Sequence, residues 1–426
     1  MKNLFYKIFA FVLLISPLLI ISNCAFRPRG KDEKGKVLLR SMAWMANPTE
    51  NEITKNLVKE FNRLHPDINV EHETIEGDYG SKLLTSFAAG NAPDVFWVGG
   101  QGAQAWIIRN VLLDITPFIE QDKVDINDFF PATVQGFILN GHYYSLPNDA
   151  CSSAMFYNKD LFDAEGIPYP DKDWRWEEFV KIAKRLTKDL NGDGKIDQWG
   201  FLIPGDIHMF MPFIFSNKGL LHDYKDPNKP LFTQPQALEA IEMILNLALK
   251  EKVAPLRGEM GDQEERRGFQ VGRVAMMVSG WWDMTDTDVY APNLNYGVAP
   301  TPIIKEKANF AFYTGTGIYV NTPHPRESWE FLKFMTGPYC QLFRCKARMA
   351  GPSRRSVSKD PYFNDREKDK VFLETIEYAQ STFGEHYDIL LDEFIQARDR
   401  VLQETQTTKQ AFSEAEKNFL RRIKEY

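Results

Sequence analysis

The chain has 426 residues, of which 43% are hydrophobic, and its formal net charge is −7. This is the composition of a folded globular protein, and without a large basic block it makes nucleic acid an improbable partner. The length exceeds what one compact core usually accommodates, so at least two domains are expected. The 9 Trp, 16 Tyr and 31 Phe must mostly serve as core residues. Flat aromatic faces are also what carbohydrate sites use against the apolar faces of sugar rings.

The first 23 residues have the pattern of an export signal. Two lysines precede an apolar run from 8 to 21, which is too short and too near the terminus for an ordinary membrane-spanning helix. The run leads to Cys24 in a context that resembles a lipoprotein processing site, although Asn23 departs from the usual pattern. We predict a signal peptide over 1–23, a lipid on Cys24 and a charged tether over 24–36. The alternative is an uncleaved anchor in which the cysteine is incidental.

The next hundred or so residues alternate between strand and helix patterns, and this order predicts a doubly wound α/β sheet. Strands are predicted at 37–44, 68–74 and 94–98, with amphipathic helices at 51–65 and 79–89. Ligand groups in such sheets lie at the carboxyl ends of the strands. Trp44, Tyr79 and Gly100 are at or near those ends, and we expect them to contact a ligand.

A change of lobe is predicted near Pro147. Two extended segments, 142–146 and 154–157, are joined through Pro-Asn-Asp and not through a tight hairpin turn. This is typical of a chain that passes from one lobe to another. Asp149 lies in this crossing, where we expect it to form directional hydrogen bonds with ligand hydroxyl groups.

Several motifs then occur in the order found in one family. They are FNRLHPDINVE, LLTSFAAGNAPDVFWV, YSLP, YNKDLFDAEGIP, GRVAMMVSGWW and AFSEAEKNFLRRI. From about Leu38 to its C-terminus the chain resembles the family 1 extracellular solute-binding proteins of ABC importers. The resemblance implies a two-lobed periplasmic-binding-protein fold of the type II, Venus flytrap kind, with a cleft between two doubly wound lobes. The expected N-terminal lobe is 37–147 plus 301–350, and the expected C-terminal lobe is 148–300 plus 351–426.

The same resemblance implies further ligand contacts. An aromatic residue just after the glycine of GRVAMMVSG commonly stacks on the ligand in this family, which indicates Trp282, with Trp281 beside it. A Gly-rich turn that presents backbone N–H groups to the ligand corresponds to Gly315 and Thr316. Arg354, at a third crossing, is a further candidate. The alternatives are ordinary packing within a lobe for the tryptophans and a surface charge for Arg354.

A loop rich in Asp and Asn offers oxygen atoms at alternate residues, as calcium loops do. The candidate ligands are Asp189, Asn191, Asp193, Asp197 and the backbone carbonyl of Lys195. Where an EF-hand has its bidentate glutamate, this chain has Gly200, which removes the strongest ligand. A structural calcium ion is one interpretation, and an Asx-rich turn is the other.

The leading hypothesis is a substrate-binding lipoprotein of an ABC transporter, anchored in the bacterial envelope. It would capture a carbohydrate or related polyol and deliver it to the membrane permease, as a monomer and with no required cofactor. One alternative is an envelope carbohydrate-active enzyme, because Asp and Glu are abundant enough for a carboxylate pair. The sequence has no HExxH, GxSxG or P-loop motif, and we expect no catalysis. Another alternative is a solute sensor that works without a transporter.

Lipidation of Cys24 is directly testable. Cells expressing the wild-type chain should incorporate radiolabelled palmitate into it, and the protein should partition into detergent, because acyl chains supply the membrane affinity. Cys24→Ser should abolish both effects, whereas Cys340→Ser, in the mature chain, should change neither. Absence of label in the wild-type protein would show that there is no lipid anchor.

Overall fold

A computed structural model describes residues 30–45, 48–260 and 266–425. The predicted signal peptide, Cys24 and the first part of the tether lie outside the described residues. Within the described ranges, none of the helices combines the length and the apolar character needed to cross a membrane.

The described residues form a mixed α/β structure. Its strands are β1 Val37–Trp44, β2 Ile68–Ile75, β3 Val95–Gly99, β4 Ile138–Leu139, β5 His142–Tyr143, β6 Ser145–Ser152, β7 Ala154–Asn158, β8 Met276–Ser279, β9 Tyr296–Ala299, β10 Asn309–Ile318 and β11 Ala379–Gln380. Its α-helices are α1 Pro48–Leu64, α2 Tyr79–Ala88, α3 Ala103–Ile108, α4 Thr116–Asp122, α5 Lys159–Ala164, α6 Trp176–Leu186, α7 Met211–Ser216, α8 Pro235–Leu249, α9 Arg266–Gln270, α10 Trp282–Tyr290, α11 Pro325–Met335, α12 Pro338–Lys346, α13 Arg355–Ser358, α14 Glu367–Thr375, α15 Tyr387–Leu402 and α16 Thr408–Arg422.

The first lobe is built on a sheet in which β1 pairs in parallel with both β2 and β3. Strand β3 is almost entirely buried and apolar, as a central strand covered on both faces should be. Its successive side chains point to opposite faces: Val95 lies in one buried cluster with Phe61 of α1, and Phe96 lies in another with Leu83 of α2. The predicted alternation of strands and helices in this lobe is confirmed.

The second lobe has a smaller sheet, in which β7 is antiparallel to both β8 and β9. Its core brings together α6, α8, α15 and α16. Phe394 of α15 and Phe412 of α16 lie 4.9 Å apart between ring centroids. The last two helices therefore complete the core of this lobe, although they are far from its strands in sequence.

Strands β6 and β10 pair antiparallel from Ser145 opposite Gly317 to Ser152 opposite Ala311, and they run from one lobe to the other. The return to the first lobe occurs inside β10, later than the expected boundary at 301. Residues 301–308 still pack on the second lobe, where the Ile303 amide donates to the Trp174 carbonyl at 3.0 Å. The boundary lies within a continuous strand, where no change of sequence pattern marks it.

The boundary expected at 351 is also displaced. The Phe130 amide donates to the Ser353 carbonyl at 2.9 Å, and the Ser356 amide donates to the carboxylate of Asp128 at 2.8 Å. These bonds hold the chain to the first lobe through the start of α13.

Asp122 joins two helices of the first lobe. Its carboxylate accepts hydrogen bonds from Lys333 at 2.5 Å, from the Trp329 indole at 2.9 Å and from Arg326 at 3.0 Å. The Lys333 bond, with the bonds from Trp329 and Arg326, lowers the pKa of Asp122 to about 2. A carboxyl group with a lowered pKa stabilises the fold when it is ionised.

Asp122→Asn should therefore reduce the free energy of unfolding at pH 7 by roughly 1–2 kcal/mol, allowing for partial solvent screening. The difference from wild type should shrink as pH falls from about 4, the ordinary Asp pKa, toward 2, because the wild-type carboxyl is then protonated too. Urea unfolding at several pH values measures this. Glu120→Gln, an exposed acid on the same helix, is the matched control, and an equal loss there would contradict the assignment.

Candidate functional site

Three aromatic side chains meet at the carboxyl ends of the first lobe's strands. The ring of Trp44 stands edge-to-face against Trp97 and Tyr79, with centroids 5.2 and 5.4 Å away. The Tyr79 hydroxyl donates to the Trp97 carbonyl at 2.9 Å, so it is already engaged. Trp44 is only half-buried. The structure thus brings the predicted Trp44 and Tyr79 together and adds Trp97, a buried residue in the middle of β3.

Gly100 lies where the first lobe meets the crossing strand β10. A Cβ atom there would be 1.8 Å from the ring of Tyr313, and the Gly100 amide donates to the Tyr313 carbonyl at 3.1 Å. Glycine is therefore required for this close approach. The side-chain amide of the next residue, Gln101, donates to the Ala311 carbonyl at 3.1 Å, which ties the same turn to β10.

Asp149 lies on β6 in the crossing, as predicted, and is partly exposed. Its Oδ1 accepts hydrogen bonds from the Thr314 hydroxyl at 2.8 Å and the Thr314 amide at 3.2 Å. Desolvation raises the pKa of Asp149 above its ordinary value, and the charge of Arg344 and the Thr314 bonds offset that rise only in part. Asp149 thus places a hydrogen-bonding carboxyl group at the crossing.

Trp282 begins α10, and its ring folds back over Gly280, where a Cβ would lie 2.3 Å from the indole. The ring stands edge-to-face against Phe312 of β10, with centroids 5.0 Å apart. On the other side of Phe312 is the ring of His208, 5.5 Å away, whose Nδ1 lies 2.6 Å from the carboxylate of Asp206. Trp282, Phe312 and His208 are all partly exposed. They form an aromatic cluster on the crossing strand.

Sequence reasoning missed two members of this aromatic cluster. Phe312 belongs to the alternating segment NFAFYTG of β10, a pattern that could have placed it on one strand face. His208 lies in the short 3₁₀ segment Ile207–Phe210, where no periodicity marks a functional side chain.

Trp281 is not placed to contact a ligand in this structure, contrary to our expectation. Its side chain is 1% exposed, its ring packs against Phe372 at 5.4 Å, and its amide donates to Cys151 Sγ at 2.9 Å. The start of α10 sends consecutive side chains in different directions, so Trp281 enters the core while Trp282 does not.

Arg354 has a structural environment that matches neither of its two interpretations. It is 8% exposed, it forms an ion pair with Asp128 at 3.0 Å, and its guanidinium lies 3.9 Å from the ring centroid of Phe129. A third contact is the bond from its Nε to the Thr336 carbonyl at 3.0 Å. These contacts fix the third crossing to the first lobe and leave little of Arg354 for a ligand.

Gly315 and Thr316 were expected in a turn, but they lie inside β10 between β3 and β6. Thr316 is 1% exposed, and its hydroxyl donates to the Asn148 side chain at 2.6 Å. A Cβ at Gly315 would be 2.4 Å from the Phe137 ring. Close packing within a sheet, and not turn formation, explains the Gly-Thr-Gly sequence.

The loop from 189 to 197 is organised by backbone amides. The carboxylate of Asp189 accepts bonds from the amides of Gly194 and Gly192 at 2.8 and 2.7 Å, and the Gly194 bond is the largest cause of its lowered pKa. Asn191, Asp193 and Asp197 accept amide bonds in the same way. In the described part of the chain, no three acidic, His or Cys side chains are grouped as a metal site. The arrangement is that of an Asx-rich turn.

Calcium binding to this loop stays untested and can be measured. A bound ion would raise the melting temperature as calcium increases, whereas carboxylates already engaged by amides should leave the melting temperature unchanged. We expect identical melting curves in chelator and in millimolar calcium. A rise in the wild type that Asp189→Asn abolishes would establish the calcium site instead.

Residues 46–339 match the family model described as bacterial extracellular solute-binding protein. A binding protein of Brucella abortus is 26% identical over 287 residues, which are 65% of this chain and 66% of the relative. The chain therefore spans just under two thirds of that relative's length. The arabinooligosaccharide-binding protein of Bacillus subtilis is 26% identical over 342 residues, 76% of this chain and 75% of the relative.

A solved structure has the same overall architecture. It is the ABC substrate-binding protein Lmo0181 of Listeria monocytogenes in complex with cycloalternan, with a TM-score of 0.80 and 25% identity. The alignment covers 91% of this chain and 99% of the Listeria chain, which supports the two-lobed fold across nearly the whole length. Because the family model also matches more than half of the sequence, the chain belongs to the bacterial extracellular solute-binding proteins.

Proposed function

We propose that this protein captures a carbohydrate or related polyol between its lobes and delivers it to an ABC permease. The observation that carries the proposal is the aromatic cluster of Trp282, Phe312 and His208, together with the carboxyl group of Asp149 on the strand that pairs with the strand of Phe312. Aromatic faces suit the apolar faces of sugar rings, and a few polar groups fix their hydroxyls. The ligands named for the Bacillus and Listeria relatives are also saccharides.

The mechanism follows from the two lobes. Trp44 and Tyr79 belong to the first lobe, Trp282 and His208 belong to the second, and Asp149 lies on a strand between them. A solute that contacts the side chains of both lobes favours the arrangement in which the two lobes lie close enough to touch it. Binding therefore shifts the population toward a closed form. A permease can then distinguish loaded from empty protein by shape.

Capture of this kind involves no bond chemistry. A glycosidase would need two carboxyl groups on opposite sides of the scissile bond. Asp149 instead accepts a hydrogen bond from the Thr314 hydroxyl, and the charge of Arg344 lowers its pKa against the rise caused by desolvation. The proposal also includes export, because the apolar N-terminal run is typical of a segment that directs a protein to the envelope. It further includes a lipid on Cys24 and a monomeric state.

The proposal is tested by calorimetric titration of the purified mature chain. The probes are an arabino-oligosaccharide, cycloalternan, maltotriose and, as an anionic comparison, glycerol 3-phosphate. At least one saccharide should bind, and the closure of the lobes should reduce the radius of gyration measured by X-ray scattering. Failure of every saccharide to bind would contradict the carbohydrate assignment.

Trp282→Ala should weaken binding of that saccharide roughly tenfold to a hundredfold. Stacking on an aromatic face is worth about 1–3 kcal/mol by analogy with base stacking, and about 1.4 kcal/mol is one decade. Trp282→Phe should retain part of the affinity. Tyr290→Ala, which removes an aromatic side chain 67% exposed at the far end of the same helix, is the control. Unchanged affinity in Trp282→Ala would show that Trp282 does not contact the saccharide. A lower free energy of unfolding without a change in affinity would lead to the same conclusion.

A further inference from the structure

Asp206 and His208 form a hydrogen-bonded pair beside the aromatic cluster. Asp206 is the N-cap of the 3₁₀ segment Ile207–Phe210. Its Oδ1 accepts a hydrogen bond from the His208 amide at 2.9 Å and lies 2.6 Å from Nδ1 of the His208 ring. One carboxylate oxygen thus contacts both the backbone and the ring of the same residue, and this double contact fixes the direction of the ring.

The contact at Nδ1 determines which ring nitrogen carries the proton. Desolvation opposes ionisation of Asp206, but the hydrogen bonds and the charge of His208, together with the charge of Arg398, lower the pKa of Asp206 below its ordinary value. Asp206 is therefore ionised at neutral pH, and an ionised carboxylate can only accept hydrogen bonds. The proton in the 2.6 Å contact consequently belongs to Nδ1. A neutral imidazole carries one proton, so Nε2 then has a free lone pair.

The other ring nitrogen, Nε2, is available to a solute. The imidazole lies among the rings of Phe310, Phe312 and Tyr387, at centroid distances of 5.3, 5.5 and 5.9 Å. Its side chain is still 19% exposed, and in the described part of the chain its hydrogen bond to another side chain is made through Nδ1. Because the two nitrogens of an imidazole point in different directions, a ring anchored at Nδ1 directs Nε2 away from Asp206.

The groups packed around the pair leave Asp206 as its direct electrostatic partner. Phe310 and Phe312 of β10 do not titrate. The Tyr387 hydroxyl accepts a hydrogen bond from the Thr382 hydroxyl at 2.8 Å, and burial raises the pKa of Tyr387, which keeps it neutral. Arg398 of α15 is a permanent cation that pairs with Asp399 at 2.8 Å and favours the ionised form of Asp206.

We propose that Asp206 is a positioning residue of the solute site, which holds the proton of the neutral His208 ring on Nδ1 so that Nε2 accepts a hydrogen bond from a solute hydroxyl group. The inference rests on the proposed function and narrows its ligand to one that offers a hydrogen-bond donor to His208, such as a neutral sugar or polyol. A solute that presents a carboxylate or phosphate there has no proton to donate and is repelled by the charge of Asp206.

The first experiment observes the ring nitrogens without a ligand. In protein labelled with ¹⁵N at histidine, the NMR signals of Nδ1 and Nε2 distinguish a protonated nitrogen from a bare one, and His208→Gln assigns them. Once a pH titration has made the ring neutral, Nδ1 should be protonated and Nε2 should be bare. A bare Nδ1 in the wild type would overturn the proposal, whether or not any variant folds.

Asp206→Asn tests the cause of this protonation. Asparagine keeps an oxygen for the His208 amide, but its NH₂ group can donate to Nδ1, and the same replacement in the His–Asp pair of a serine protease favours the other tautomer. The neutral ring should therefore carry its proton wholly or partly on Nε2. Asp125→Asn is the matched control, because Asp125 caps another 3₁₀ segment by accepting from the Asn127 amide at 3.0 Å. An unaltered tautomer in Asp206→Asn, or an equal change in Asp125→Asn, would show that Asp206 is merely a cap.

The second experiment adds the solute, with maltotriose, the arabino-oligosaccharide and cycloalternan as probes. When a saccharide binds, Nδ1 should stay protonated, and the bare Nε2 should shift toward the signal of a hydrogen-bonded nitrogen. Asp206→Asn should bind that saccharide roughly twofold to tenfold more weakly, because one neutral hydrogen bond is lost or must reverse its direction, whereas Asp125→Asn should bind it as the wild type does.

Two results of the second experiment would contradict the inference. One is a protonated or unshifted Nε2 in the complex, and the other is equal affinity in Asp206→Asn and the wild type. Failure of the wild type to bind any saccharide would contradict the proposed function instead, and the ligand-free spectra would then still show which nitrogen of His208 is protonated.

Discussion

The antiparallel pair of β6 and β10 is the constraint on which the site depends. These two strands carry the backbone from one lobe to the other while their amides and carbonyls remain paired. Asp149 on one strand and Phe312 and Thr314 on the other therefore have fixed relative positions. The side chains that the lobes contribute, such as Trp44 and Trp282, are arranged around this shared ribbon.

A paired ribbon also limits how the lobes can move. A movement that separated the two strands would break their backbone hydrogen bonds, whereas a twist of the pair preserves most of them. The register of β6 and β10 shifts between Thr314 and Gly315, and such irregularities bend a strand and increase its local twist. The irregularity lies opposite Asp149, so the place where the ribbon can bend coincides with the polar group of the site.

Much of the first lobe could be predicted from sequence because its elements are local. The apolar periodicity of α1 and the continuous apolar run of β3 each identify an element, and strand ends identify Trp44 and Tyr79. Trp281 and Trp282 could not be distinguished, because the geometry of one helix start decides which ring enters the core. The prediction of a turn at Gly315 was wrong because a close contact with Phe137, distant in sequence, is what requires the glycine. No sequence pattern identified His208 as a member of the aromatic cluster.

Two buried arginines, one on α12 and one at the third crossing, show why burial alone does not define a role. Arg354 has an ion pair with Asp128, a stacked ring and a carbonyl acceptor, so its charge is compensated where it lies and its effect is to hold the chain. Arg344, on α12, has carbonyl acceptors for Nη1, and its Nε and Nη2 have no partner among the described residues. A buried charge whose partner lies beside it fixes the chain at that point, whereas a buried guanidinium with unpartnered nitrogens is the more costly of the two to keep in the folded state.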